Sequence, residues 1–311
     1  MKTEAGLLDT LNSVLIASPF ETPDYRLVAD AMRAGAFAFL DIGRDWPQAR
    51  AAIERVRAAA PGNFGLRIPE GVRLDETALA PLRGRIKVLM HAAPEEFQAL
   101  AGFFHLVQVV SLDEALEAQR LGADGLILKG AESGGRVGAF NSFILLQQIH
   151  GRLALPFWAQ GGMGPHGAAA AVLAGAQGVL YDSQLALMPA ASSRPGLRPV
   201  FKAINGSETA VAGGYRFLRH KQLPDVAEET GREQLLEQLA GTAAPLLAGE
   251  DLALAQLFHS LYGDVAGLVH ATEEAIAGHL RQPARSAAGL PTRSARRWSS
   301  CPRTSCRPAS V

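Results

Sequence analysis

Between residues 13 and 188 the chain repeats one unit, a short apolar run followed by an amphipathic stretch. The apolar runs are, in order, SVLIASPF, AFAFLDIG, NFGLRI, IKVLMHA, LVQVVSL, GLILKG, PFWAQGG and GVLYDSQ. They are continuously apolar rather than alternating, which is typical of parallel strands that helices cover on both faces. Eight such strands in strict alternation with helices predict an α/β fold, a (β/α)8 TIM-type barrel. An open doubly wound sheet is the competing architecture.

The segments between the strands are amphipathic and predict seven helices, with a helical continuation after the eighth strand. They read DYRLVADAMRAG, DWPQARAAIERVRAAA, DETALAPLRG, PEEFQALAGF, DEALEAQRLGA, NSFILLQQIHGR and PHGAAAAVLAGA. Ser111 and Glu114 form a capping box, and Gly35, Gly122 and Gly175 stand where helices end in a left-handed residue. The limits of the repeated units are therefore marked as well as their interiors.

The repeat stops after Leu187. MPAASSRPGLRP is typical of a linker, and GREQLLEQLAG, DLALAQLFHSL and VAGLVHATEEAIAGHL then predict amphipathic helices. We expect the barrel over residues 1–198 and a small helical appendage over 199–280 that packs on it. Residues 281–311 hold seven arginines, no acid and few aliphatic residues, so we expect a disordered basic tail. A tail produced by truncation or a reading-frame error is a further interpretation, and a nucleic-acid-binding arm is the least favoured.

The bulk composition limits the setting in which the chain works. Its 311 residues are 48% hydrophobic and 19% charged with a formal net charge of zero, so nothing global points to nucleic acid or a membrane surface. Seven of the 30 basic residues lie in the tail, which leaves 23 against 30 acidic residues in the body. No apolar run approaches the roughly 20 residues of a spanning helix, and the first residues do not resemble a secretory signal. Both cysteines, Cys301 and Cys306, lie in the tail, so we expect no metal site in the body and a cytoplasmic protein.

Two strand ends carry the residues of a phosphate site. In a barrel of this kind the loops after the seventh and eighth strands commonly bind a phosphate. The seventh strand ends in Gln160, Gly161 and Gly162, and the eighth ends in Asp182 and Ser183, each directly before a helix. Glycines let backbone N–H groups approach an anion, the helix N-terminus adds a favourable dipole, and a serine hydroxyl can donate.

Residues 162–167, GMGPHG, also fit the pattern GxGxxG, with Asp182 twenty residues beyond Gly162. Taken locally, this segment predicts a nicotinamide-dinucleotide site almost as well. Its position argues against that interpretation, because a dinucleotide fold needs several more βα units after this point and the chain supplies only helices. Six strands precede the segment, which favours the seventh strand of a barrel.

The sixth strand ends in a lysine, and GLILKG is followed by AESGGRVG, residues 131–138. A lysine at the end of a buried strand needs an anion or an acceptor, because an unpaired buried charge is costly. Lys129 is therefore a candidate for stabilising negative charge on a ligand, and an ion pair with Glu132 is the structural alternative. Gly134 and Gly135 allow a flat ligand to approach the backbone. We expect Arg136 to project toward solvent or substrate.

DGLILKGAESGGRVG, PFWAQGGMG and GAQGVLYDSQLAL together resemble the nitronate monooxygenase family, also called 2-nitropropane dioxygenases, whose pattern the bacterial flavin-dependent enoyl reductases share. The resemblance is good over about residues 85–190, and it is greatest to the version of this domain at the start of modular polyketide synthases. It implies a (β/α)8 barrel that binds FMN non-covalently. The residues that it implies as FMN-binding are Lys129, Glu132, Gly134, Gly135, Gln160, Gly161, Gly162, Asp182 and Ser183.

Several positions depart from the family's pattern. Arg136 stands where the monooxygenases place the histidine that acts as catalytic base, and a guanidinium cannot abstract a proton. We expect Arg136 to hold a carboxylate, a nitronate or a phosphopantetheine phosphate instead. Lys129 replaces a glutamine, and ASPF at residues 17–20 replaces the usual Pro-Met. His91 matches roughly the family's histidine after the fourth strand, which implies flavin contact or proton delivery near neutral pH, with a structural role as the alternative.

The resemblance implies an FMN-dependent oxidoreductase that acts on a small molecule or an acyl thioester, with polyketide synthase modules as candidate partners. One version oxidises alkyl nitronates with dioxygen and needs no base, because a nitronate is already deprotonated. Another reduces an enoyl thioester with NAD(P)H. The loss of the histidine and of Pro-Met supports a third hypothesis, a non-catalytic barrel that acts as a scaffold in a polyketide synthase. A barrel for a sugar phosphate or a nucleotide is the least favoured.

Overall fold

A computed structural model describes residues 11–74, 76–192, 196–241 and 244–280. Eight parallel strands close into a barrel, with the last strand paired to the first. These strands are β1 (Val14–Ala17), β2 (Phe37–Asp41), β3 (Phe64–Ile68), β4 (Ile86–His91), β5 (Phe104–Val109), β6 (Gly125–Lys129), β8 (Phe157–Gln160) and β9 (Gly178–Tyr181). Each coincides with a predicted apolar run, so the predicted barrel is confirmed and the open sheet is not formed. The predicted tail and both cysteines lie outside the described residues.

Helices on the outside of the barrel connect its strands. They are α1 (Tyr25–Arg33), α2 (Trp46–Ala59), α3 (Glu76–Leu79), α4 (Leu112–Leu121), α5 (Ser142–Ile149) and α6 (Pro165–Leu173). The cap of α4 is the predicted one, because the Ser111 hydroxyl accepts from the Glu114 N–H at 3.2 Å and Gly122 ends the helix with φ of +90°.

One predicted helix does not form. PEEFQALAGF contains a single 3-10 turn at Pro94–Glu96, after which Phe97 is extended. The ring of His105 lies within hydrogen-bonding distance of the backbone of Leu100, with His105 Nε2 at 2.9 Å from Leu100 O. A buried side chain thus satisfies backbone groups that a helix would have paired internally.

The helix that completes the outer ring comes from the end of the described chain. Helix α10 (Val265–Leu280) packs against both α6 and α1 and against the outside of β1. Its buried residues Val265, Leu268 and Ile276 join the main hydrophobic core between the barrel and its helices. The predicted division of the chain at residue 198 stays a prediction, and this packing argues against it, because α10 occupies the place of the eighth barrel helix.

Residues 196–264 form an insertion before this last helix, and the insertion is not wholly helical as predicted. Its helices are α7 (Leu197–Ala203), α8 (Arg232–Ala240) and α9 (Leu254–Tyr262). It also contains an antiparallel hairpin of β10 (Thr209–Ala212) and β11 (Tyr215–Leu218). Strand β11 pairs with the two-residue strand β7 (Gly135–Arg136) in the loop after β6. The insertion is therefore joined by backbone hydrogen bonds to the loop that the sequence analysis singled out.

The hairpin and α8 are also fixed to the end of β3. The hydroxyl of Tyr215 donates to Glu70, and Arg232 forms ion pairs with Glu70 at 2.5 Å and with Glu95 at 2.8 Å. No single helix among the described residues is long and apolar enough to cross a membrane, and the pair Glu250–Tyr262 and Val265–Leu280 meets that test only together, with a bend of 91°.

Candidate active site

Polar side chains form a hydrogen-bonded chain across the carboxyl-terminal mouth of the barrel. Arg67 donates from Nε to Asp41 Oδ2 at 2.6 Å and from Nη1 to Asp182 Oδ2 at 3.2 Å. Gln160 donates to the same Asp182 oxygen at 2.8 Å, and Gln108 donates to Gln160 Oε1 at 2.9 Å. All five side chains are buried. These hydrogen bonds link the ends of five strands. The pairing of the side chains with one another compensates the cost of burying their charges.

Three members of this chain, Asp41, Arg67 and Gln108, were missed by the sequence analysis. Asp41 and Arg67 stand at or near the ends of apolar strands, which is the feature that singled out Lys129. The same reasoning applied to AFAFLDIG and NFGLRI would have identified them. Their mutual pairing across the mouth was not visible in the sequence, because it depends on barrel closure.

Lys129 is buried at the end of β6 and faces the mouth. A Cβ built on Gly135 would lie 3.3 Å from Lys129 Nζ, so the absence of a side chain there leaves room beside the ammonium. Burial lowers the pKa of Lys129 to about 8, although the nearby Asp182 acts in the opposite direction. The alternative ion pair with Glu132 is not formed in this structure, and no hydrogen bond or ion pair of the ammonium is seen within the described residues.

The mouth itself is a narrow cleft. Of the predicted site residues, it is lined by Lys129, Gly134, Gly135, Arg136, Asp182 and Ser183. His91, Glu132, Gln160, Gly161 and Gly162 do not line it. The volume that the centre of a water molecule can occupy in the cleft is about 50 Å³, which is room for a few water molecules. Pockets for drug-sized ligands are roughly 300–1,000 Å³, so the cleft as it stands is much smaller than a nucleotide cofactor requires.

The place predicted for a phosphate holds a carboxylate of the chain. The Ser183 hydroxyl donates to Asp251 Oδ1 at 2.7 Å, and both residues are buried. Asp251 ends a segment of the insertion, residues 246–251 (LLAGED), that is buried except at Glu250 and that we call the strap. The strap lies on the loop after β6, since a Cβ on Gly134 would come within 2.7 Å of Ala248 Cα and of Leu247 O.

Glu132 has a role in the fold that the sequence analysis did not predict. Its carboxylate accepts from the Ser142 N–H at 3.2 Å and from the Ser142 hydroxyl, so it neutralises the amino end of α5. It also covers the glycines after β8, because a Cβ on Gly161 would lie 3.1 Å from Glu132 Cδ and 2.6 Å from Ser133 Oγ. With φ of +110° and +59°, Gly161 and Gly162 form the tight turn that this approach requires.

Arg136 does not project toward solvent or substrate as predicted. Its guanidinium forms a two-pronged ion pair with Glu114, with Nη1–Oε1 at 2.8 Å and Nη2–Oε2 at 3.0 Å. It also donates to the carbonyls of Ala92 and Gln108. The side chain is buried and its donors are in use, so the geometry argues against the expected hold on a substrate anion. Its observed role is to join the loop after β6 to α4.

His91 is buried outside the cleft. His91 Nε2 lies 3.0 Å from His105 Nδ1, the two rings stack, and Phe97 packs edge-on against both. Burial, together with the neighbouring His105, lowers the pKa of His91 to about 3. A histidine that stays neutral and packed away from the cleft is not placed for proton delivery near neutral pH, and the structural alternative describes it better.

Residues 88–192 match the family model described as nitronate monooxygenase. The matched stretch runs from within β4 to beyond the end of β9, so it includes Lys129, the loop after β6 and both predicted phosphate loops. The resemblance stated from the sequence motifs is confirmed. The strap and the residues Asp41 and Arg67 lie outside the matched stretch.

Two curated relatives align with about half of the chain. A (3aS,4S,5R,7aS)-5-hydroxy-7a-methyl-1-oxo-octahydro-1H-indene-4-carboxyl-CoA dehydrogenase from Rhodococcus jostii is 28% identical over 165 residues, 53% of this chain and 44% of that protein. The dehydrogenase of the same name from Mycobacterium tuberculosis is 29% identical over 182 residues, 52% of this chain and 49% of that protein. The chain thus spans about half the length of the curated relatives it matches.

Solved structures with the same fold cover most of the chain. FabK from Thermotoga maritima has a TM-score of 0.72 at 19% identity, over 88% of this chain and 96% of FabK. A nitroalkane oxidase from Streptomyces ansochromogenes has a TM-score of 0.68 at 19% identity, over 88% and 99%. The enoyl reductase domain of MlnA, from the macrolactin cluster of Bacillus amyloliquefaciens, has a TM-score of 0.56 at 11% identity, over 86% and 96%. At these identities the likeness establishes the fold alone.

Proposed function

We propose that this chain, whose residues 88–192 carry the nitronate monooxygenase domain, is a flavin-dependent oxidoreductase with FMN as its cofactor. A bound flavin would supply the redox chemistry, and the protein would supply binding, orientation and electrostatics. The proposal assigns the ring of the flavin to the cleft at the mouth of the barrel. It assigns the phosphate to the loops after β8 and β9.

The observation that carries the proposal is the state of Lys129. A buried ammonium without a hydrogen-bonded partner in the described residues is costly, and Lys129 lines the cleft, from which a ligand can reach it. An anion or a carbonyl in the cleft would satisfy this ammonium. In a flavin site Lys129 would stabilise negative charge on the ring, as a fixed positive charge in a water-poor site does for any developing anion.

The donor set of the site fits a flavin in kind. Gly134 and Gly135 offer backbone without side chains beside Lys129, and Ser133 Oγ is buried without a hydrogen-bond partner in the described residues. At the other end the Ser183 hydroxyl already donates to a carboxyl oxygen, that of Asp251. Gly161 and Gly162 complete the proposed phosphate loops. The hydrogen-bonding groups of the site therefore suit a flavin, but the volume of the cleft does not. Protein atoms must move before a cofactor can enter.

For the reaction we propose the oxidation of alkyl nitronates by dioxygen. This reaction needs no catalytic base, which suits a site in which Arg136 is fully engaged with Glu114 and His91 is packed away from the cleft. The alternative is the reduction of an enoyl thioester with NAD(P)H, and the CoA thioester in the names of the curated relatives supports it. We also propose polyketide synthase modules as partners, which the sequence resemblance supports, and the cytoplasm as the place of work, which the absence of cysteines before Cys301 supports.

A flavin spectrum of the intact protein tests the cofactor. We expect a yellow protein, or a colourless one that takes up added FMN, and a Lys129→Met variant with weaker uptake. The substrate is tested by reducing the flavin anaerobically with NADH or NADPH and following reoxidation with a nitronate or an enoyl thioester. A protein that binds neither FMN nor riboflavin would falsify the proposed function.

The second candidate is a barrel without redox activity that serves as a scaffold in a polyketide synthase. The specific observation in its favour is the near absence of free volume in the mouth, about 50 Å³. Under this hypothesis the hydrogen-bonded side chains from Asp41 to Gln108 serve only to close the mouth of the barrel and stabilise the fold. Turnover with any nitronate or thioester substrate would exclude it.

A further inference from the structure

The strap ends in a buried carboxylate at the point where a barrel of this type commonly binds phosphate. That point is set by the loops after β8 and β9. Ser183, from the second of these loops, donates its hydroxyl to Asp251 Oδ1 at 2.7 Å. Glu132, from the loop after β6, covers the glycines of the first. A hydroxyl that would be available to a phosphate oxygen is thus already bound to an oxygen of the chain.

The backbone of the strap is also part of this arrangement. The Asp251 N–H donates to Glu132 O at 3.3 Å, and a Cβ on Gly249 would lie 2.5 Å from both Asp251 Oδ1 and the Gly134 nitrogen. The strap therefore reaches the backbone of the loop after β6 as closely as a glycine allows. Leu246 O accepts from the Leu218 N–H at 2.9 Å, which attaches the other end of the strap to β11.

Burial and the neighbouring carboxylates favour the protonated form of Asp251. Burial raises the pKa of the Asp251 carboxyl well above its ordinary value, and the nearby Asp182 and Glu132 raise it further. Asp251 Oδ2 and Gln184 Nε2 are buried without hydrogen-bond partners in the described residues. Because a raised pKa favours the uncharged carboxyl, Asp251 competes with a phosphate by occupying the Ser183 hydroxyl and the space beside it, not by its charge.

We infer that Asp251 is an internal competitor of the cofactor's phosphate, so that a phosphate-bearing flavin binds only when the strap lifts away from Ser183. The inference rests on the proposed function, because it concerns the same cofactor. It explains why the donor set is suited to an anion while the cleft is too small for one. It also predicts that the chain discriminates between FMN and riboflavin, which differ only in the phosphate.

The test compares the binding of FMN and of riboflavin to the full chain by quenching of flavin fluorescence. Replacing Asp251→Ala frees the Ser183 hydroxyl for the phosphate, so we expect FMN to bind at least about tenfold more tightly than to the wild type, which is the worth of one hydrogen bond to a charged group. Riboflavin has no phosphate, so its affinity should rise only as far as a loosened strap opens the cleft. The affinity for FMN relative to that for riboflavin should therefore increase. The Glu250→Ala variant is the matched control, because it makes the same truncation at the neighbouring, exposed residue and should bind both flavins as the wild type does.

A second variant covers the case in which Asp251→Ala does not fold. Asp251→Ser shortens the side chain, so that it no longer reaches the Ser183 hydroxyl, while it keeps a polar group at the buried position. We expect it to unfold cooperatively and its preference for FMN over riboflavin to rise in the same direction.

The outcomes separate the two proposals. If the wild type binds FMN as tightly as both Asp251 variants do, with an unchanged ratio to riboflavin, the competitor role is wrong and the flavin function stands. If no form of the chain binds either flavin, the proposed function fails and the competitor role fails with it.

Discussion

Lys129 shows how a single residue connects the fold to the proposed chemistry. Its pKa is lowered to about 8 by burial, so the folded protein loses the ammonium charge at a pH where an unfolded lysine, with its ordinary pKa near 10.5, keeps it. We expect the affinity for an anionic ligand in the cleft to be full below pH 8 and to fall as the pH rises through that value. The Lys129→Gln variant, with the glutamine of the related family, should bind more weakly and without this pH dependence. Flavin uptake measured from pH 6.5 to 9.5 on both proteins checks the prediction, and parallel profiles would contradict it.

Arg136 and Glu114 provide a prediction about stability at the residue scale. Glu114→Gln leaves a buried guanidinium without its carboxylate, so we expect a loss of about 2–4 kcal/mol in the free energy of unfolding, somewhat below the cost for a fully buried pair. The control is Glu117→Gln in the same helix, whose partner Arg120 is largely exposed. That change should cost far less, because solvent screens an exposed ion pair. Urea unfolding of the two variants provides the measurement, and equal losses would mean that the Arg136 pair is not structural.

At the scale of the elements, the closure of the barrel depends on one glycine. Gly178 begins β9, and a Cβ there would lie 1.9 Å from Ser13 O, which accepts the Val179 N–H next to the β1–β9 pairing. We expect Gly178→Ala to separate these strands and to lower the unfolding midpoint strongly or prevent soluble expression.

Gly278 is the matched control for this change. It lies in α10 with open space around its Cα, so alanine should stabilise that helix by up to about 1 kcal/mol. Circular dichroism on heating compares the two variants. A Gly178→Ala protein that melts with the wild type would show that the close approach to Ser13 is not needed.

The sequence predicts those elements whose signal lies within the element itself. Strands such as AFAFLDIG were predictable because burial on both faces leaves a continuous apolar run. The hairpin of β10 and β11 carried a recognisable signal, Gly213-Gly214 with φ of +56° and +79° between TAVA and YRFL, but the segment was assigned to a helical appendage. The partner of that hairpin, the loop after β6, lies more than seventy residues away and left no local trace.

The candidate site divides in the same way. Lys129 and the glycines of the loops were predictable because a charge at the end of an apolar strand and a pair of glycines are local features. The contacts of Arg136 with Glu114 and of Ser183 with Asp251 depend on elements far apart in the chain. A sequence pattern can indicate that a side chain is buried. Its hydrogen-bonding partner becomes visible only in the folded barrel.

At the scale of the whole molecule, α10 determines where a chain can be shortened. Its apolar face buries Val265, Leu268, Val269 and Ile276 against the barrel. Burial of four such side chains contributes about 6–12 kcal/mol. That is comparable with the whole stability of a domain, about 5–15 kcal/mol. A chain that ends at Asp264, or at residue 198, should therefore not fold into a stable barrel.

The control is a chain that ends at Leu280, which keeps every described element. We expect it to unfold cooperatively, with near-native circular dichroism, while the two shorter chains bind a hydrophobic dye or aggregate. A stable, cooperative protein ending at residue 198 would support the division of the chain predicted from the sequence.

The place of α10 also affects how the protein is made. Strand β9 closes the cylinder at Tyr181, yet the helix that covers its flank begins only at Val265, after the whole insertion has been synthesised. At about 5–20 residues per second, a ribosome needs roughly 4–17 seconds to add that stretch. For this time the apolar seam between α1 and α6, which α10 later covers, stays exposed on a chain that does not yet hold a stable barrel. Synthesis of this protein therefore includes a period of several seconds in which a chaperone, or a second nascent chain, has access to the seam.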